Sequence, residues 1–405
     1  MTFKLSNAYK MKTRLFFALF IITSCTLSAS HTINITNKSN IDFKNKPIVI
    51  KLDELKKIKP EKRSQLAVFD GKTQISTQLD DFDADNIPDE IAFIMDIKAG
   101  ELKKLSIKTT KKRARFAAGT YASLLLKQND GTHVAVKEAS STKNDMYNAL
   151  HHHGVAFESE LMAYRIYFDN KSTIDLYGKK TPQLEIAQTG WYPTAEQLAA
   201  GYGDDILLVS GWVGAGAVKG WDGKKNIHID KFNKRTQRII TTGNVRTIVE
   251  SVVEGWDYEN KKTDMTVRYS IYAKNRDAIV EVITSNDLAN IATGVQQIGK
   301  GKLFNSDQLL GSWGAHFPQP DTVKYKRETV GLGMYMPKKM QQKHVVDGAN
   351  NLFLFPTIKN TTHKFHITAL WAEEKNNKIF DAEAYFESLK QWQEALEAEI
   401  EISIK

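Results

Sequence analysis

The stretch VRTIVESVVEGWDYENKKTDMTVRYSIYAKNRDAIVEVITSND, residues 245–287, decides the fold class of this chain. It contains three runs in which apolar and polar residues alternate, and turn-forming residues separate the runs at regular spacing. Successive side chains of a strand point to opposite faces of a sheet, so this alternation is typical of half-buried β-strands. The stretch therefore predicts three consecutive antiparallel strands.

The same pattern continues through most of the chain. NLFLFPTI at 351–358 and KFHITALWA at 364–372 are further strand-like runs. YASLLLKQNDGTHVAVKE at 121–138 predicts two strands joined at Asn129-Asp130-Gly131, which is a hairpin signature. Because strands dominate and helices are few, we predict an all-β chain built around a large antiparallel sandwich.

The chain divides into a smaller and a larger predicted β region. Residues 46–115 contain short apolar runs such as KPIVIKL and EIAFIMDI, and the basic connector KTTKKRARF at 108–116 separates them from a domain over 116–405. One helix is predicted near the C-terminus, from Asp381 to Ile400. Its apolar side chains recur at helical spacing and are typical of core packing; they are Tyr385, Leu389, Trp392 and Leu396.

Composition and charge restrict the class of protein and of partner. The 405 residues are 41% hydrophobic and 25% charged, as in globular proteins, and carry a formal net charge of +9. A positive balance suits an anionic partner. The sequence lacks a basic arm with interleaved aromatic residues, so we do not expect nucleic-acid binding.

The first 25 residues resemble an export signal. Basic residues precede the apolar run LFFALFII at 15–22, which is too short to span a bilayer. The only cysteine, Cys25, follows ITS, a pattern similar to a bacterial lipoprotein processing site. We expect a periplasmic protein, either lipid-anchored to the outer membrane at Cys25 or cleaved near Ser30, with a polar tether over residues 26–45.

The acidic stretch DDFDADNIPDE at 80–90 has the spacing of a calcium loop. Calcium loops place carboxylates at positions 1, 3, 5 and 9, which here are Asp81, Asp83, Asp85 and Asp89. The twelfth position is Ala92, where such loops carry a bidentate glutamate. A structural Ca²⁺ is one interpretation. The alternative is a hairpin turn whose carboxylates accept hydrogen bonds from backbone amides.

The stretch HHHGVAFESELMAYRIYFDN, residues 151–170, concentrates side chains that can carry chemistry. Histidine titrates near neutral pH, so acid/base use is favoured, and a metal site is the alternative. From Phe157 to Asp169 the residues alternate as in one strand, with Glu158, Glu160 and Tyr164 on the same face. Such a strand predicts a polar cleft, although a structural ion pair between Glu160 and Arg165 would explain part of the pattern.

Aromatic residues in glycine-rich loops indicate a carbohydrate surface. Tryptophan and tyrosine faces stack on the apolar faces of sugar rings while their polar edges stay solvated. The candidates for this role are Trp191, Tyr192, Trp212, Trp221, Trp256 and Trp313, and His316 lies in a similar loop.

Several motifs resemble those of a family of secreted bacterial proteins from polysaccharide-utilisation loci. They are HHHGVAFESELMAYRIYFDNKSTIDLYGKK, GYGDDILLVS, VRTIVESVVEGW and the acidic QLDDFDADNIPDEIAFIMDI. The resemblance covers residues from about Lys46 to the end. It implies a galactose-mutarotase-like β-supersandwich and, from the ulvan oligosaccharide dehydratase within the family, removal of water from a uronic acid at the non-reducing end. The family carries other residues where His151 and His152 stand.

The resemblance implies roles for particular residues. Loss of the C5 proton needs a base, for which His153 comes first and His152 second. Tyr164 or Glu158 would protonate the departing C4 oxygen. Arg165 or Lys137 would neutralise the sugar carboxylate. The remaining candidates would contact the substrate; they are Glu160, Trp191, Trp212, Trp221 and His316.

Other functions stay open at this point. A lyase or a glycoside hydrolase of the same pathway would act on the same class of substrate, and the hydrolase would use Glu158 and Glu160. A non-catalytic sugar-binding lipoprotein would explain the tryptophans alone. The chemistry requires no cofactor, and Ca²⁺ is expected only in a structural role.

Overall fold

The computed structural model describes residues 30–56, 58–190, 192–209 and 212–405. The expected export signal, Cys25 and the sugar-binding candidate Trp191 lie outside the described residues. In the described part of the chain, no helix combines the length and the apolar character that crossing a bilayer requires.

The N-terminal region is a small sandwich of antiparallel strands. Its strands are β1 (Ser30–Asn37), β2 (Phe43–Lys51), β3 (Leu66–Asp70), β4 (Thr73–Gln74), β5 (Thr77–Asp80), β6 (Glu90–Ile97) and β7 (Leu102–Thr109). β1, β7, β3 and β4 lie in one sheet, and β2, β6 and β5 in another. Apolar side chains from both sheets, such as Ile33, Ile50, Phe93 and Ile107, share a core.

The remaining strands and the helices follow along the chain. The strands are β8 (Thr120–Ser123), β9 (Leu125–Lys127), β10 (His133–Ala135), β11 (Glu138–Ser141), β12 (Gly154–Ser159), β13 (Met162–Tyr167), β14 (Ile174–Gly178), β15 (Asp204–Asp205), β16 (Lys219–Trp221), β17 (Asn226–Ile227), β18 (Lys234–Thr241), β19 (Arg246–Tyr258), β20 (Lys261–Tyr272), β21 (Ala278–Thr284), β22 (Leu288–Gln296), β23 (Lys302–Asn305), β24 (Leu309–His316), β25 (Glu328–Tyr335), β26 (Lys343–Asp347), β27 (Asn350–Thr357), β28 (His363–Trp371) and β29 (Ile400–Ile404). The helices are α1 (Ala195–Ala199) and α2 (Ala382–Glu397), with short 3₁₀ helices at Leu52–Glu54, Pro60–Gln65, His151–His153 and Lys338–Met340.

The larger region is a sandwich of two layers. One layer is a long antiparallel sheet in the order β11-β18-β19-β20-β21-β28-β25-β24-β23. The other layer contains the sheets β15-β14-β13-β12-β8 and β17-β16-β22-β27-β26, which meet where Ile174 bridges to Gly214 and Ala215 to Val295. A continuous apolar core fills the space between the layers. The predicted all-β sandwich is confirmed.

Residues 245–287 form the predicted run of strands at the centre of the long sheet. β19 pairs with β20 and β20 with β21, so Val267 lies opposite Ser251 on one side and Val282 on the other. Along β21 the buried residues alternate strictly with partly exposed ones. This alternation places one face of β21 in the core, as the period of two in the sequence requires.

The predicted hairpin at Asn129-Asp130-Gly131 is also present. It joins β9 to β10, with His133 opposite Lys127. The Asp130 carboxylate accepts a hydrogen bond from the Thr132 amide at 2.9 Å, and Gly131 has a φ of 85°. Glycine adopts this left-handed conformation without steric cost, which is why it occupies the turn.

The C-terminal helix forms as predicted but ends earlier than Ile400. The Asp381 carboxylate caps α2 by accepting the Ala384 amide at 2.8 Å. Tyr385 and Leu389 are buried against β24 and β25, on the outer face of the long sheet. The helix stops at Glu397 because β29 begins at Ile400 and pairs with β1.

Residues 30–37 correct the expected tether over 26–45. Ile33 and Ile35 of β1 are fully buried and alternate with polar residues, which is the pattern of a half-buried strand. β1 pairs with β7 on one side and with β29 on the other. The polar composition of this segment therefore reflects a strand with one solvated face.

The stretch from Phe157 to Asp169 is not the single strand that the alternation predicted. β12 and β13 form a hairpin around Glu160 and Leu161, in which Ala156 lies opposite Arg165. A two-residue turn reverses which face each later residue occupies. Tyr164 consequently points into the main core, whereas Glu158 and Arg165 share the outer face of the hairpin.

Candidate active site

The three histidines form a tight turn that leads into β12. His152 and His153 have φ angles of 59° and 62°, both in the left-handed region. The turn is held by a hydrogen bond from the His153 amide to the Leu150 carbonyl at 3.1 Å, and by one from the Phe168 amide to the His153 carbonyl at 2.7 Å. Non-glycine residues rarely adopt this conformation, so the surrounding structure must impose it.

His153 is held in a defined orientation. Its Nδ1 lies 3.0 Å from the Tyr147 carbonyl oxygen, which can only accept a hydrogen bond, so Nδ1 carries the proton and Nε2 the lone pair. The imidazole stacks on the Tyr147 ring, with centroids 3.8 Å apart and planes 3° from parallel. Burial lowers the pKa of His153, which favours the neutral form.

His151 and His152, which precede His153 in the turn, contact each other and are also favoured in the neutral form. His152 is 2% exposed, and its Nε2 lies 3.4 Å from the Ile186 carbonyl oxygen. Burial lowers the pKa of His152 well below its ordinary value and also lowers that of His151. His151 contacts the rings of both His152 and the exposed His133. Of the three, the deeply buried His152 is less accessible than His153.

Arg165 holds two carboxylates on the same face of the sheet. One guanidinium nitrogen, Nη2, lies 2.7 Å from Asp175 and 2.7 Å from Asp205. Arg165 is 2% exposed. Burial opposes its charge, but the two aspartates outweigh burial and raise its pKa. Burial also raises the pKa of Asp205 above its usual range, and the nearby Asp175 adds to that effect.

Two tyrosines connect the carboxylates to the histidine turn. The Tyr167 hydroxyl donates to Asp175, and the Tyr167 ring lies edge-on to both Tyr147 and His153. Burial raises the pKa of Tyr167 and that of Tyr147, and the charge of Asp175 adds to the effect in both. Both phenols therefore keep their protons at neutral pH, within contact of a neutral imidazole.

A second loop lies beside this cluster. The His316 Nε2 is 2.9 Å from the Ile206 carbonyl oxygen, and Gln319 donates to Asp205 at 2.7 Å. Tyr192 and Tyr325 lie with ring centroids 6.2 Å apart. Burial and the charge of Asp205 raise the pKa of Tyr192 to about 12. His316 thus adjoins the site, and its imidazole is engaged with the backbone.

Glu158 and Tyr164 occupy structural positions. Glu158 is fully buried, pairs with Lys179, and accepts the amides of Glu185 and Ile186 at 2.9 and 3.0 Å. Tyr164 is fully buried in the main core and donates to the Arg276 carbonyl at 2.7 Å. Neither group has access to a bound sugar in this conformation.

Glu160 and Lys137 lie apart from the histidines. Glu160 is in the turn between β12 and β13, at the opposite end of the hairpin, and accepts the Lys274 amide at 2.8 Å. The alternative ion pair between Glu160 and Arg165 does not form, because Arg165 is engaged by the two aspartates. Lys137 is exposed between β10 and β11.

The tryptophans do not form one surface. Trp256 and Trp313 are 1% and 7% exposed and belong to hydrophobic cores. Trp221 is half-buried on β16 and packs against the main core. Trp212 is half-buried, and its carbonyl accepts the Thr173 hydroxyl at 2.9 Å, next to the turn between β13 and β14. Of these four tryptophans, Trp212 is the one that contacts the segment between β13 and β14 of the candidate site.

Sequence reasoning did not identify four residues of the cluster, namely Tyr147, Tyr167, Asp175 and Asp205. One signal was available for Asp175, since it is a carboxylate within the otherwise apolar run TIDLYG, and a buried charge needs a partner. Asp205 lies in the motif GYGDDILLVS, where its spacing from other titratable residues matches no known catalytic or metal-binding pattern. Tyr147 precedes the histidines in irregular structure, where no periodicity marks it.

The acidic loop shows features of both interpretations. Oxygen atoms of Asp81, Asp83 and Asp89 lie within 4.8 Å of one another, an arrangement that could hold a cation. Asp81 also accepts the amides of Ala84 and Asn86, each at 2.8 Å, as in a capped turn. Asp85 is not part of the cluster, and its carboxylate accepts the Ile87 amide at 2.7 Å.

Comparisons with known proteins place the chain in a family but add little on activity. No curated protein matches it. Two similar solved structures are a protein in the glycosyl hydrolase family 38 from Enterococcus faecalis (8% identity, TM-score 0.45, 93% of this chain and 47% of that one) and an α-mannosidase from Enterococcus faecalis V583 (8%, 0.44, 93% and 46%). The chain spans about half the length of these structures, and similarity this distant carries no argument about activity. The model of the family described as "Domain of unknown function (DUF4861)" matches residues 35–402, so the chain belongs to that family.

Proposed function

We propose that this protein is a carbohydrate-active dehydratase. It removes water from the uronic acid at the non-reducing end of an anionic, ulvan-type oligosaccharide and leaves a 4,5-unsaturated sugar. The observation that carries the proposal is His153, a neutral imidazole fixed by the Tyr147 carbonyl and stacked on a protonated phenol. A base and an acid in contact are what elimination requires. The sequence resemblance supports the same class of reaction.

The proposed reaction moves two protons. Nε2 of His153 takes the proton from C5 of the uronic acid, and the electrons of the C5–H bond form the C4=C5 double bond. The C4–O bond breaks, and the departing hydroxyl takes a proton from the Tyr147 phenol and leaves as water. Tyr147 replaces Tyr164 and Glu158 in this role because both of those are buried among structural partners.

Arg165 acts as a positioning residue in this proposal. Its guanidinium is engaged by Asp175 and Asp205, so it holds the carboxylate that accepts the Tyr167 hydroxyl. The sugar carboxylate then needs another cation. Arg327 is exposed beside the site, where its guanidinium donates to the Ala315 carbonyl at 2.7 Å and its charge acts on His316. We assign it the neutralisation of the substrate carboxylate.

The test is incubation with saturated uronic-acid oligosaccharides. A dehydratase produces ultraviolet absorbance from the new conjugated double bond, and each product is one water lighter than its substrate. A polysaccharide lyase produces the absorbance together with shorter chains. New reducing ends without absorbance would indicate hydrolysis, and no change of any kind would indicate a binding protein. Any of these last three results would refute the proposed dehydratase.

We also propose export to the periplasm, with a lipid at Cys25 or cleavage near Ser30. The basis is the sequence alone, because residues 1–29 are outside the described part of the chain. Fractionation of cells that express the full chain tests this proposal. Cys25→Ser should release any membrane-bound protein without changing its activity, and uncleaved protein in the cytosol would contradict export.

A further inference from the structure

A cavity lies on the other side of the long sheet, under helix α2. Its volume is about 480 Å³, within the range of small-molecule sites. The floor is formed by Ala369 and Leu370 of β28 and by Tyr385 and Leu389 of α2, and residues 374–379 form one wall. None of His151, His152, His153, Tyr147 and Arg165 lines this cavity. This site is therefore separate from the proposed active site.

The buried polar groups of the cavity are largely paired. Arg276 and Glu374 form a two-pronged ion pair, with nitrogen–oxygen distances of 2.7 and 2.8 Å. Lys179 pairs with the buried Glu158. The Tyr385 side chain is 3% exposed, and its hydroxyl has no hydrogen-bond partner in the described part of the chain. A buried phenol without a partner costs free energy, which a ligand oxygen would recover.

The rim of the cavity is positively charged. Lys180, Lys375 and Lys378 line it and are exposed. Among residues 30–56, 58–190, 192–209 and 212–405, no carboxylate lies within salt-bridge distance of these three amines. The acidic residues that line the cavity are Glu374 and Asp277. Arg276 forms an ion pair with Glu374 but not with Asp277. The rim therefore favours an anionic ligand.

An aromatic side chain also lines the cavity. Trp392 of α2 is half-buried, and its ring lies edge-on to Tyr335 and to His366, with ring centroids 6.4 Å apart in each pair. It lines this cavity and also the adjoining one that Lys46 and Asp277 border. A half-buried tryptophan in a cleft with a basic rim and a largely apolar lining matches a ligand with an apolar ring face and charged substituents.

We propose that this cavity is a second saccharide-binding site, which takes an acidic sugar unit. The carboxylate or sulfate of the sugar contacts Lys375 and Lys378, and its ring stacks on Trp392. We assign the site a binding role only, since no histidine lines it and the lining carboxylate Glu374 is paired with Arg276. The inference goes beyond the proposed elimination and does not depend on it.

Equilibrium binding to the inactive His153→Ala protein tests the inference. The probes are a uronic-acid trisaccharide and a neutral trisaccharide of the same length, measured by calorimetry. The Lys375→Glu/Lys378→Glu double variant should lose about tenfold or more in affinity at one site, since two exposed ion pairs are reversed. Lys390→Glu reverses an exposed charge on the neighbouring helix α2, outside the cavity, and as the control should bind as the parent does.

The outcomes separate the two proposals. Two bound acidic trisaccharides, one of which is lost in the double variant, support both sites. One bound trisaccharide that is lost in the double variant supports the cavity even if the elimination proposal fails. Binding that the double variant leaves unchanged, or equal binding of the neutral trisaccharide, would overturn the inference. Melting temperatures of all variants confirm that they are folded.

Discussion

At the scale of single residues, the consecutive left-handed conformations of His152 and His153 are the most informative feature. Each such residue costs on the order of 1–2 kcal/mol relative to a right-handed conformation. Strain of this kind persists where the surrounding structure imposes it, and it often marks functional sites. Here it turns the His153 ring onto Tyr147 and directs Nδ1 to the Tyr147 carbonyl.

Replacing His153 by alanine should remove the proposed base. We expect turnover to fall by about 10²–10⁴-fold, the usual loss for a general base, while the fold is retained. His133→Ala, which removes an exposed neighbouring imidazole, is the control and should keep nearly full activity. Full activity of His153→Ala in the absorbance assay would exclude His153 as the base.

The pH profile of the wild-type protein provides a further check on His153. The base must be neutral, and burial lowers the pKa of His153 below its ordinary value of about 6.5. Activity should therefore decline with falling pH only below that value. A decline that begins above it would indicate a different titrating group.

Replacing Tyr147 by phenylalanine should distinguish the role of the Tyr147 hydroxyl from that of its aromatic ring. The variant keeps the aromatic stack on His153 but cannot donate a proton, so we expect a loss of about 10²–10⁴-fold in turnover with little change in melting temperature. Tyr164→Phe is the matched control, since its hydroxyl donates only to the Arg276 carbonyl. A larger loss of turnover in the control than in Tyr147→Phe would reverse the assignment.

The sequence could suggest His153 as a candidate base but not Tyr147 as its partner. His153 lies in a segment dense in titratable residues, and histidine is the side chain that titrates near neutral pH. Tyr147 lies six residues earlier in irregular structure, and its contact with His153 depends on a turn that no periodicity encodes. Asp205 reaches Arg165 only through the pairing of β14 with β15, which is a tertiary contact.

At the scale of elements, the hairpin of β12 and β13 decides which residues reach the site. The alternation from Phe157 to Asp169 has the period of a strand, but the turn at Glu160 and Leu161 contains no glycine, asparagine or proline to indicate a reversal. The missed turn exchanges the two faces of β13. It places Tyr164 in the core and Arg165 on the face of the site.

The ion pair of Glu158 and Lys179 offers a test of this reassignment. Removing one partner of a buried pair leaves an uncompensated charge and typically costs about 3–5 kcal/mol, so Glu158→Leu should unfold at much lower denaturant concentration. The Glu158→Leu/Lys179→Met double variant should recover only part of that stability, because the amides of Glu185 and Ile186 still lose their acceptor. Substantial activity in the double variant would confirm a structural role, whereas a stable but inactive one would restore Glu158 as a candidate acid.

Gly154 links the histidine turn to the first strand of this hairpin. A Cβ at this position would lie 1.9 Å from the Ile166 carbonyl oxygen, so the two strands could not approach as they do. We expect Gly154→Ala to cost about 1–3 kcal/mol of unfolding free energy and to reduce activity by displacing His153. Gly100→Ala is the control, because Gly100 also has a positive φ, but a Cβ there would meet no atom within 4 Å. Equal stability losses in both variants would show that only backbone conformation matters.

At the scale of the whole molecule, the sequence predicted the architecture more securely than the site. Alternation in β19 to β21 reports which face is buried, and burial of that face largely determines how these strands pair. The pattern did not predict strand β1 at the N-terminus, because most residues around Ile33 and Ile35 are polar. This strand pairs with β29 from the far end of the chain. Long-range pairing of this kind leaves no local signal.

The acidic loop lies where the N-terminal region meets the larger sandwich. It joins β5 to β6, and the strand ends on either side of it bind Arg246 of β19, through Asp80 at 2.7 Å and Glu90 at 2.6 Å. A cation held by the loop would therefore stabilise the contact between the two regions. Each carboxylate oxygen has two lone pairs, so Asp81, whose two oxygens each accept an amide, and Asp89, whose Oδ2 accepts the Phe82 amide, can still offer a ligand.

The two interpretations of this loop predict different responses to calcium. If it holds Ca²⁺, a hundredfold excess over the dissociation constant should add about 2.7 kcal/mol to the unfolding free energy and raise the melting temperature by several degrees, and a chelator should reverse the shift. Asp83→Asn tests the site selectively, because Asp83 accepts only a long hydrogen bond, from the Asp85 amide at 3.3 Å, so the turn should survive while the cation loses a charged ligand. The calcium-dependent shift should then shrink or disappear in the variant. If neither calcium nor the chelator moves the melting temperature of the wild-type protein, the carboxylates serve to cap the turn, and the spacing of the aspartates reflects hairpin geometry alone.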